Sequence, residues 1–591
     1  MCGVFAYLGE SRDVGETVGT ALKRLEYRGY DSWGVAWEAD ERIHCTKRIG
    51  RVNGSLPKSV KSPLAFGHTR WATHGDVTDQ NAHPHLDCTG RLAVVHNGIV
   101  ENVDELRASL SIHHRLTSET DSEVIAHLLE ECIASTGCTL AEAVRRVFPT
   151  LAGFNAVVAI DVTRRELVAA KFVSPLVLGT GRTGDFIASD VIALSGHTDR
   201  FTPVEDGWLV TIDGSAARIE DLSTGRPISV DHSPLPTLDG AEVIDRHAAP
   251  GAHMVHEMDE QPAVIRRLLD DIEPVTRLAA LIHNADQVVM TGCGSAYYAA
   301  EAGRYLLARH AGRAITVLPA SEVRQFSGTF DSRTLVVALT QSGETADLVD
   351  AIMAAEAAGV RTAAIVNVEH STIARRVEAV VPLHAGTERC VLATKSFLAK
   401  LVRLVQLAGL FGGSDLAGRA ALTIAASAIE GQTTSRNFTE EIARAGAVLA
   451  AHDHAYVIGR GRSFPSALEA ALKIKEGSYV HAEAFAGGEL KHGVISLIEK
   501  GTPCLVFAPS DDTYADVLSG AQELRSRGAV IIGVGQERSP AFDIHIPVRD
   551  NGSATMLAQV STAQRLAYDI AMRRGTDPDH PRNLAKSVTV K

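Results

Sequence analysis

The stretch "DQVVMTGCGSAYYAAEAGRYLL" (286–307) runs from an apolar segment through two glycines into an alanine-rich segment. This order is typical of a buried strand, a tight turn and a helix. The stretch "HAYVIGRGRSFPSALEAALKI" (454–474) repeats it, and "TLVVALTQSGET" (334–345) and "TPCLVFAPSDDT" (502–513) form a second matching pair downstream. Because strands that alternate with helices build parallel sheets, the sequence predicts two α/β domains related by duplication, each with a parallel sheet flanked by helices.

The first part of the chain has a different pattern. Short β-like runs such as "RLAVVHNGIV" (91–100) accompany one helical stretch, "SETDSEVIAHLLEECIAS" (118–135), which starts at Ser, Thr and Asp capping residues. The segment 231–262 is rich in Pro, Gly, His and charges and lacks a sustained period. We predict an α+β domain at 1–230, a linker at 231–262, α/β domains at 263–420 and 421–578, and a polar C-terminal tail at 579–591.

Composition narrows the class of function. The 591 residues are 45% hydrophobic and 22% charged, with a net charge of −13 and no dense Lys/Arg cluster. This balance argues against nucleic-acid and anionic-membrane partners. The eight cysteines contain no CxxC pair, so the spacing indicates neither a disulfide framework nor a zinc site. We expect a soluble, cytoplasmic protein that acts on small molecules and needs no metal or organic cofactor.

The N-terminal "MCGVFAYLGE" (1–10) places a cysteine behind the initiator methionine. Removal of the methionine would leave Cys2 with a thiol and a free α-amine on one residue. Such an amine, with an ordinary pKa of about 8, can take the thiol proton without a separate base. The alternative is an ordinary buried cysteine without a chemical role. Other residues must therefore decide between the two interpretations.

Polar residues in turns beside the apolar runs favour a catalytic role for Cys2. Asn97 and the Gly98 N–H can form an oxyanion hole, and Arg70 and Asp121 can hold the carboxylate and ammonium of a zwitterion such as glutamine. A metal site is the alternative, but the spacing of the nearby histidines matches no common one and favours structural roles. These histidines are His68, His74, His83, His85 and His96.

Two patterns in the second half remain open from the residues alone. The turn 340–345 gathers hydroxyls and N–H groups at a predicted helix N-terminus, which suits a phosphate or simply caps the helix. Glu469, Lys473 and Glu476 fall on one helical face, either as an exposed ion-paired surface or as a buried set for proton transfer. His492 follows in a glycine-flanked loop and would add an imidazole to a proton-transfer set.

The motifs "GHTRWATHG" (67–75), "NAHPH" (81–85), "VVHNGIVEN" (94–102) and "SETD" (118–121), together with Cys2, resemble the glutaminase domain of class II, N-terminal-nucleophile amidotransferases. The resemblance implies an N-terminal-nucleophile hydrolase fold, an αββα sandwich. It also implies that Cys2 attacks glutamine while Asn97 and Gly98 stabilise the oxyanion. The glutamine-binding residues implied by the resemblance are Arg70, Trp71, Thr73, His74 and Asp121.

The motifs "TQSGETADL" (340–348), "ERCVLATKSF" (388–397), "LKIKEGSYVHAEAFAGGELKHG" (472–493) and "GTDPDHPRNLAKSVTVK" (575–591) resemble the sugar isomerase (SIS) domains and tail of the glutamine:fructose-6-phosphate aminotransferase family. The resemblance is near end to end. It implies transfer of the glutamine amide nitrogen to fructose 6-phosphate and isomerisation to glucosamine 6-phosphate. Sugar-phosphate contacts are implied for Ser295, Thr340, Gln341, Ser342, Thr345, Val391 and Ala585.

The same resemblance implies the catalytic roles in the sugar half. Lys586 would form a Schiff base with the open-chain ketose, Glu476 would move a proton between C1 and C2, and Lys473 would assist. His492 would promote ring opening from the neighbouring subunit, so a homodimer with a shared sugar site is implied. Because water would protonate ammonia, the family passes it through an internal channel, for which Trp71 is the gate candidate.

Some residues depart from the family pattern. Ala296 and Ala393 stand where serines are frequent, and Thr340 replaces the usual serine. A missing hydrogen bond to a charged group costs about 1.5–3 kcal/mol, enough to signal a different acceptor. Two alternatives therefore stay open: a paralogue that aminates another keto-sugar phosphate, and a non-catalytic sugar-phosphate-binding protein. The presence of all the implied catalytic residues counts against the second alternative.

Overall fold

The computed structural model describes residues 2–111, 113–235, 249–412 and 415–589, with only the backbone for 415–417. The chain divides into two compact units, Met1–Arg246 with Ala585–Lys591, and His247–Leu584. Of the linker predicted at 231–262, residues 236–248 lie outside the described residues. Each unit is described by itself below.

The first unit contains two antiparallel sheets. The larger sheet has the strand order β14-β11-β9-β10-β1-β4-β2-β3 and the smaller one β13-β12-β8-β7-β6-β5. The strands are β1 (Gly3–Asp13), β2 (Ser32–Ala39), β3 (Arg42–Ile49), β4 (Lys61–Arg70), β5 (His85–Leu86), β6 (Leu92–Gly98), β7 (Asn155–Asp161), β8 (Glu166–Phe172), β9 (Val177–Gly181), β10 (Gly184–Ala188), β11 (Arg200–Pro203), β12 (Trp208–Ile212), β13 (Arg218–Asp221) and β14 (Ser233–Pro234).

The two sheets pack face to face between helices, so the first unit has four layers. Alternate side chains of a strand point to opposite faces, and in β1 both faces are buried. Val4 packs between the sheets, whereas Phe5 packs toward the first helix. The far face of the smaller sheet is covered by the third and fourth helices. The helices are α1 (Val14–Leu25), α2 (Val103–Ser109), α3 (Ser122–Thr136) and α4 (Leu140–Val147).

The second unit contains two five-stranded parallel sheets with the same strand order, β16-β15-β17-β18-β19 and β21-β20-β22-β23-β24. The prediction of two parallel α/β domains is thus confirmed, and the shared order agrees with the predicted duplication. The strands are β15 (Gln287–Gly292), β16 (Thr316–Pro319), β17 (Thr334–Leu339), β18 (Arg361–Val366), β19 (Ala379–Pro382), β20 (His454–Gly459), β21 (His481–Ala486), β22 (Pro503–Phe507), β23 (Val530–Gly535) and β24 (Ile544–Pro547).

The helices of the second unit begin before the predicted domain start. The first of them occupies the end of the segment predicted as a linker, and its buried face includes the polar Glu257 and Gln261, which weakens the hydrophobic period. The helices are α5 (Ala252–Leu268), α6 (Glu273–Asn284), α7 (Ser295–Ala311), α8 (Val323–Phe326), α9 (Ala346–Ala357), α10 (Thr372–Arg376), α11 (Lys395–Phe411), α12 (Asp415–Thr434), α13 (Arg436–Ala450), α14 (Phe464–Ser478), α15 (Tyr514–Ser526) and α16 (Thr555–Arg574).

Within the described ranges, no single helix has both the length and the apolar composition needed to cross a membrane. One pair of consecutive helices, Ser122–Thr136 and Leu140–Thr150, meets that test only jointly and is bent by 118°.

Candidate active site

The site of the first unit forms where strands β1 and β4 pair. Gly3 lies opposite Thr69, which brings Cys2 beside the end of β4. The Trp71 N–H donates to the Cys2 sulfur at 3.4 Å, and the thiol lies 3.7 Å from the Trp71 carbonyl oxygen. Burial raises the pKa of the Cys2 thiol, while the positive amino terminus, the Trp71 N–H and Arg70 act in the opposite direction.

Asn97 and Gly98 end strand β6 next to Cys2. The Asn97 Nδ2 donates to the Cys2 carbonyl oxygen at 3.0 Å. Its Oδ1 lies 3.1 Å from Nε2 of His68, which also faces the His96 carbonyl and therefore acts as the donor that orients the amide. Gly98 has φ +151°, and a Cβ there would lie 2.4 Å from the Phe154 carbonyl oxygen. The geometry therefore directs an Asn97 N–H at the Cys2 carbonyl oxygen and requires glycine at the next position.

Arg70 and Asp121 are buried and hold the loops around the thiol. The Arg70 guanidinium donates to the carbonyl oxygens of His74, Gly75 and Asp76, the last two at 3.2 Å. The Asp121 carboxylate accepts the Val100 N–H at 2.7 Å. Burial lowers the pKa of Arg70, while the charges of Cys2, Asp31 and Asp121 act to raise it. These opposed charges favour a ligand that carries both signs.

The remaining predicted glutamine-binding residues lie on the loop after β4. Trp71 and His74 are half-buried, whereas Thr73 is exposed. Because Arg70 binds the backbone of His74, the loop is tied to the strand end from which it leaves. The structure thus places Arg70, Trp71, Thr73 and His74 on one short segment beside Cys2.

Four of the five nearby histidines, His68, His83, His85 and His96, are buried in the core of the first unit. His68 and His83 stack with ring centroids 4.1 Å apart, and burial lowers the pKa of His68 to about 3, so this ring stays neutral. His85 lies 3.0 Å from the Thr120 hydroxyl, and His96 lies 2.8 Å from that of Ser122. These contacts support the structural interpretation of the histidines.

Several residues that the sequence analysis did not single out position Cys2 and the segments beside it. The Gly3 N–H donates to the Thr69 hydroxyl at 3.1 Å, and the Val4 N–H donates to the Ser189 hydroxyl at 3.0 Å. Asp31 accepts the Ala72 N–H at 2.8 Å. Thr69 lies inside the motif "GHTRWATHG" quoted above, and Asp31 lies in the polar stretch "RLEYRGYDS" (24–32), so these two stretches were the available signal. Ser189 is distant in sequence and gave none.

In the second unit, the 340–345 turn joins β17 to α9. The Thr340 hydroxyl accepts the Gly343 N–H at 3.0 Å, and the Ser342 hydroxyl accepts the Glu344 N–H at 3.2 Å. Thr340 is buried, whereas Gln341, Ser342 and Thr345 are half-buried. The turn therefore places three partly accessible polar side chains at the N-terminus of a helix, where an anion is favoured.

The helix α14 carries a buried acid and amine set. Lys473 forms ion pairs with Glu476 and, at 3.6 Å, with Glu469, whose carboxylate also accepts the Ser295 hydroxyl at 3.1 Å. Glu469 and Lys473 are 0% and 1% exposed, so the exposed-surface interpretation of this helical face is wrong. Burial raises the pKa of Glu469 to about 7. Burial alone would lower the pKa of Lys473, but Glu476 and Glu469 raise it above its usual value.

The segment before α11 is fixed by buried carboxylates. Glu257 accepts the Cys390 N–H at 3.0 Å, and Glu388 accepts the Ser396 N–H at 2.8 Å. The predicted sugar-site residue Val391 lies between them and donates its N–H to the Asp579 carbonyl oxygen at 3.1 Å. The start of the tail, at Asp579, thus contacts this segment within the second unit. Neither Glu257 nor Glu388 was singled out from the sequence.

The two alanines that depart from the family pattern pack against the core of the second unit. Ala296 lies in the first turn of α7, and a Cβ at Gly292 would come within 3.0 Å of its methyl group. Ala393 precedes the buried Thr394. At both positions a methyl group stands where a serine would offer a hydroxyl.

Three further predicted residues lie in other segments of the chain. His492 is exposed at the end of a short helical turn, Glu489–His492. Ala585 and Lys586 are half-buried and belong to the first compact unit, where the Lys586 N–H donates to the Tyr27 carbonyl oxygen at 3.4 Å. The described part of the chain gives no contact between His492 and the Lys473 cluster.

Comparison with known proteins adds independent findings. The chain matches the SIS domain model at 281–410 and 448–545, and a glutamine amidotransferase domain model at 68–195. It is 39% identical over 616 residues to an isomerizing glutamine–fructose-6-phosphate aminotransferase of Thermus thermophilus and 38% identical over 612 residues to one of Pyrococcus horikoshii. Both alignments cover 100% of each chain.

Among solved structures, the chain is similar to the C-terminal domain of a glucosamine-fructose-6-phosphate aminotransferase from Francisella tularensis. The TM-score is 0.51 at 27% identity, and the match covers 56% of this chain and 98% of that one.

Proposed function

Because this chain belongs to the family of isomerizing glutamine–fructose-6-phosphate aminotransferases, we propose that it transfers the amide nitrogen of L-glutamine to fructose 6-phosphate. The products are D-glucosamine 6-phosphate and L-glutamate. The observation that carries the proposal is the Cys2 thiol beside the Trp71 N–H, with the Asn97 amide directed at the Cys2 carbonyl. We assign the four-layer first unit to the N-terminal-nucleophile hydrolase fold on the same ground.

In the glutaminase half, the Cys2 sulfur attacks the side-chain amide carbon of glutamine. Once the initiator methionine is removed, the α-amine of Cys2 takes the thiol proton and delivers it to the leaving ammonia. The second N–H of the Asn97 amide and the Gly98 N–H stabilise the oxyanion that forms on the amide oxygen. Water then cleaves the thioester and releases glutamate. Arg70 and Asp121 set the charges that hold the two α-groups of glutamine.

In the sugar half, the proton-transfer set is already buried. Lys473 stays an ammonium because its two carboxylate partners raise its pKa, so it stabilises negative charge on a sugar oxygen rather than acting as a nucleophile. Glu476 moves the proton between C1 and C2, and Lys586 forms the Schiff base with the open-chain ketose. The phosphate binds the 340–345 turn, with Ser295, Val391 and Ala585 at the same sugar.

We infer the assembly from the role that the family resemblance implies for His492. This exposed side chain acts on the sugar of a second copy, so the functional unit is a homodimer with a shared sugar site. We place the domains at 1–230, 263–420 and 421–578, with helix α5 from Ala252 leading into the second of them and the tail from 579 serving the sugar site. We further propose that the reaction takes place in the cytoplasm and that Trp71 gates the passage of ammonia, since ammonia released into water would be protonated.

A different keto-sugar phosphate is the second candidate acceptor. The specific observation is that Ala296 and Ala393 present methyl groups, while the Ser295 hydroxyl is engaged by Glu469. Fewer free hydroxyls favour a less strongly held or differently placed phosphate. The glutaminase half is the same in both proposals, so only the acceptor distinguishes them.

The test is product analysis by mass spectrometry with amide-labelled glutamine and fructose 6-phosphate. We expect the full-length protein to form glutamate and labelled glucosamine 6-phosphate in equal amounts. Cys2→Ala should form neither product, whereas Lys586→Ala should form glutamate without the amino sugar. Cys45→Ala and Lys500→Ala are the matched controls and should behave as the native protein.

Glutamate without an amino sugar from the native protein would contradict fructose 6-phosphate as acceptor and favour the second candidate. Retained glutamine hydrolysis in Cys2→Ala would contradict the proposed nucleophile. The first result concerns the transfer of nitrogen to the sugar and the second concerns glutamine hydrolysis. Together they identify which part of the proposal fails.

A further inference from the structure

A second cluster of reactive side chains lies in the first unit, apart from Cys2. It contains Cys88 from the turn between β5 and β6, His114 from the segment before α3, and His127 and Glu130 from α3 itself. One potential ligand atom from each residue lies within 4.8 Å of all the others. Among the described residues this is the one group of His, Cys, Asp and Glu side chains that converges so closely.

The distances within the cluster match a tetrahedral metal site. The Cys88 sulfur lies 3.7 Å from Nδ1 of His114 and 3.6 Å from Nδ1 of His127. The same two nitrogens lie 3.1 and 3.2 Å from Oε2 of Glu130. A tetrahedral zinc ion with ordinary bond lengths separates S and N ligands by about 3.6 Å and N and O ligands by about 3.3 Å. Four edges of the cluster thus fit the tetrahedron.

Hydrogen bonding alone explains the cluster poorly. The Glu130 Oε2 faces both histidine Nδ1 atoms and also accepts the Cys88 N–H at 3.1 Å, so three nitrogens crowd one oxygen. The Cys88 thiol adds a further hydrogen bond to the Glu130 carboxylate, and its sulfur also lies within 3.7 Å of both rings. A cation at the centre would account for all four orientations at once.

The carboxylates behind the two rings supply a second observation. Nε2 of His127 lies 3.8 Å from Glu123, and Nε2 of His114 lies 3.5 Å from Glu131. Metal-binding histidines commonly direct the far ring nitrogen at a carboxylate, which fixes the ring and leaves the near nitrogen as the ligand. Both rings here have that arrangement. His127 and Glu130 are three residues apart on α3, so the helix itself aligns one pair of ligands.

We propose that Cys88, His114, His127 and Glu130 bind a Zn²⁺ ion. Four protein ligands close the coordination shell, which is typical of a structural rather than a catalytic zinc. Binding releases the Cys88 thiol proton to solvent, and the thiolate and carboxylate then balance the charge of the cation. The ion fastens the turn after β5 and the segment before α3 to α3. Cys88 is exposed, which gives the cation a path to the site.

The sequence pattern does not predict this site because its ligands are spread over residues 88 to 130 without a CxxC pair. Only the His-x-x-Glu pair on α3 is local. The other two ligands come from separate segments, and the fold alone brings them to the helix.

The test measures metal content and cobalt spectra of the untagged, full-length protein, purified under a phosphine reductant without chelator. We expect about one zinc per chain by mass spectrometry after dialysis against a weak competing ligand. Replacement by Co²⁺ should give a thiolate-to-metal charge-transfer band and the intense visible bands of four-coordinate cobalt. Cys88→Ser should lose the charge-transfer band and at least tenfold in zinc affinity, while Cys45→Ser, the matched control, should retain both.

A thermal measurement keeps the proposal testable if a variant binds metal weakly. Zinc should raise the melting temperature of the native protein and of Cys45→Ser, but not that of His127→Ala or Cys88→Ser. Circular dichroism of the metal-free variants should match that of the metal-free native protein and exclude misfolding. Zinc far below one per chain in the native protein, or a cobalt spectrum unchanged by Cys88→Ser, would overturn the proposal.

Discussion

Glu469 is a carboxyl group held where water does not reach. It is 0% exposed, its Oε1 meets Ser295 and Lys473, and its Oε2 has no hydrogen-bond partner among the described residues. Ionising such a group costs free energy unless hydrogen bonds or opposite charges replace the hydration that it loses on burial. Lys473 also pairs with Glu476, so it compensates only part of the lost hydration of Glu469. Burial therefore raises the pKa of Glu469 to about 7. Near neutral pH this residue therefore changes its charge inside the buried cluster of α14.

This raised pKa predicts how stability depends on pH. An unfolded glutamate has a pKa of about 4.3, so between that value and about 7 the folded chain binds the proton more strongly. The stabilisation is fully present below pH 4.3 and is lost as pH rises through 7, by roughly 3 kcal/mol in all. Between pH 5 and pH 8, we expect the melting temperature of the native protein to fall by on the order of 5 °C relative to that of Glu469→Gln.

The measurement is differential scanning calorimetry of both proteins across that pH range. Glu499→Gln, which changes an exposed carboxyl group of the same unit, is the control and should follow the native curve. Parallel curves for the native protein and Glu469→Gln would contradict the buried titration.

Gly98 is a second position where the backbone allows only one residue type. Gly98→Ala would place a Cβ 2.4 Å from the Phe154 carbonyl at φ +151°, so the backbone must move and the N–H donor with it. We expect kcat for glutamine hydrolysis to fall by about 100-fold, the usual effect of losing one oxyanion donor. Gly90→Ala is the control because its φ is +71° and no atom lies within 4 Å of the added carbon. Steady-state assays that gave both variants the same kcat would exclude this role for Gly98.

At the scale of elements, the strand-to-helix turn 340–345 depends on one close approach. Gly343 has φ +69°, and a Cβ there would lie 1.9 Å from the Ser371 hydroxyl oxygen. The Ser371 side chain in turn caps the helix Thr372–Arg376. The glycine therefore lets two helix N-termini meet at the carboxyl ends of neighbouring strands. Ligands of open α/β sheets commonly bind at that edge.

Gly343→Ala should damage phosphate binding without touching the glutaminase half. We expect the KM for fructose 6-phosphate to rise 10- to 100-fold, as for the loss of one hydrogen bond to a charged group. Glutamine hydrolysis should stay unchanged. Gly359→Ala has nearly the same φ, +71°, but open space around the added carbon, so it tests backbone strain alone and should leave the KM within twofold. An equal effect of both variants would contradict the clash argument.

The elements also show what a sequence pattern can predict. The strand, glycine turn and helix units of the second unit are local, so the sequence predicted both parallel sheets. Strand β1 pairs with β4 and β10, which are far away in sequence, so nothing local could show the order of the antiparallel sheets. An exposed helical face and a buried one would both show the spacing of Glu469, Lys473 and Glu476. Only the packing of the folded chain distinguishes the two. Helix α5 stayed hidden because its buried face carries Glu257 and Gln261.

At the scale of the whole molecule, each compact unit has its own hydrophobic core. The layers of the first unit enclose Val4 and Phe66 between the sheets, whereas the core of the second unit runs continuously through both parallel-sheet domains. A continuous core favours one cooperative transition for the two parallel-sheet domains. Separate cores favour separate transitions, so the chain should unfold in two steps rather than in the three that its domain count suggests.

Ligands should identify the two transitions. A ligand that binds only the folded state stabilises its unit by RT ln(1 + [L]/Kd), about 2.7 kcal/mol at 100 times Kd. We expect glucosamine 6-phosphate to raise only the transition of the second unit in calorimetry, and that shift should disappear in Gly343→Ala but persist in Gly359→Ala. Glutamate should raise only the other transition, and Gly98→Ala should leave the sugar-phosphate shift intact. A single transition that both ligands raise equally would mean that the two cores unfold as one cooperative unit.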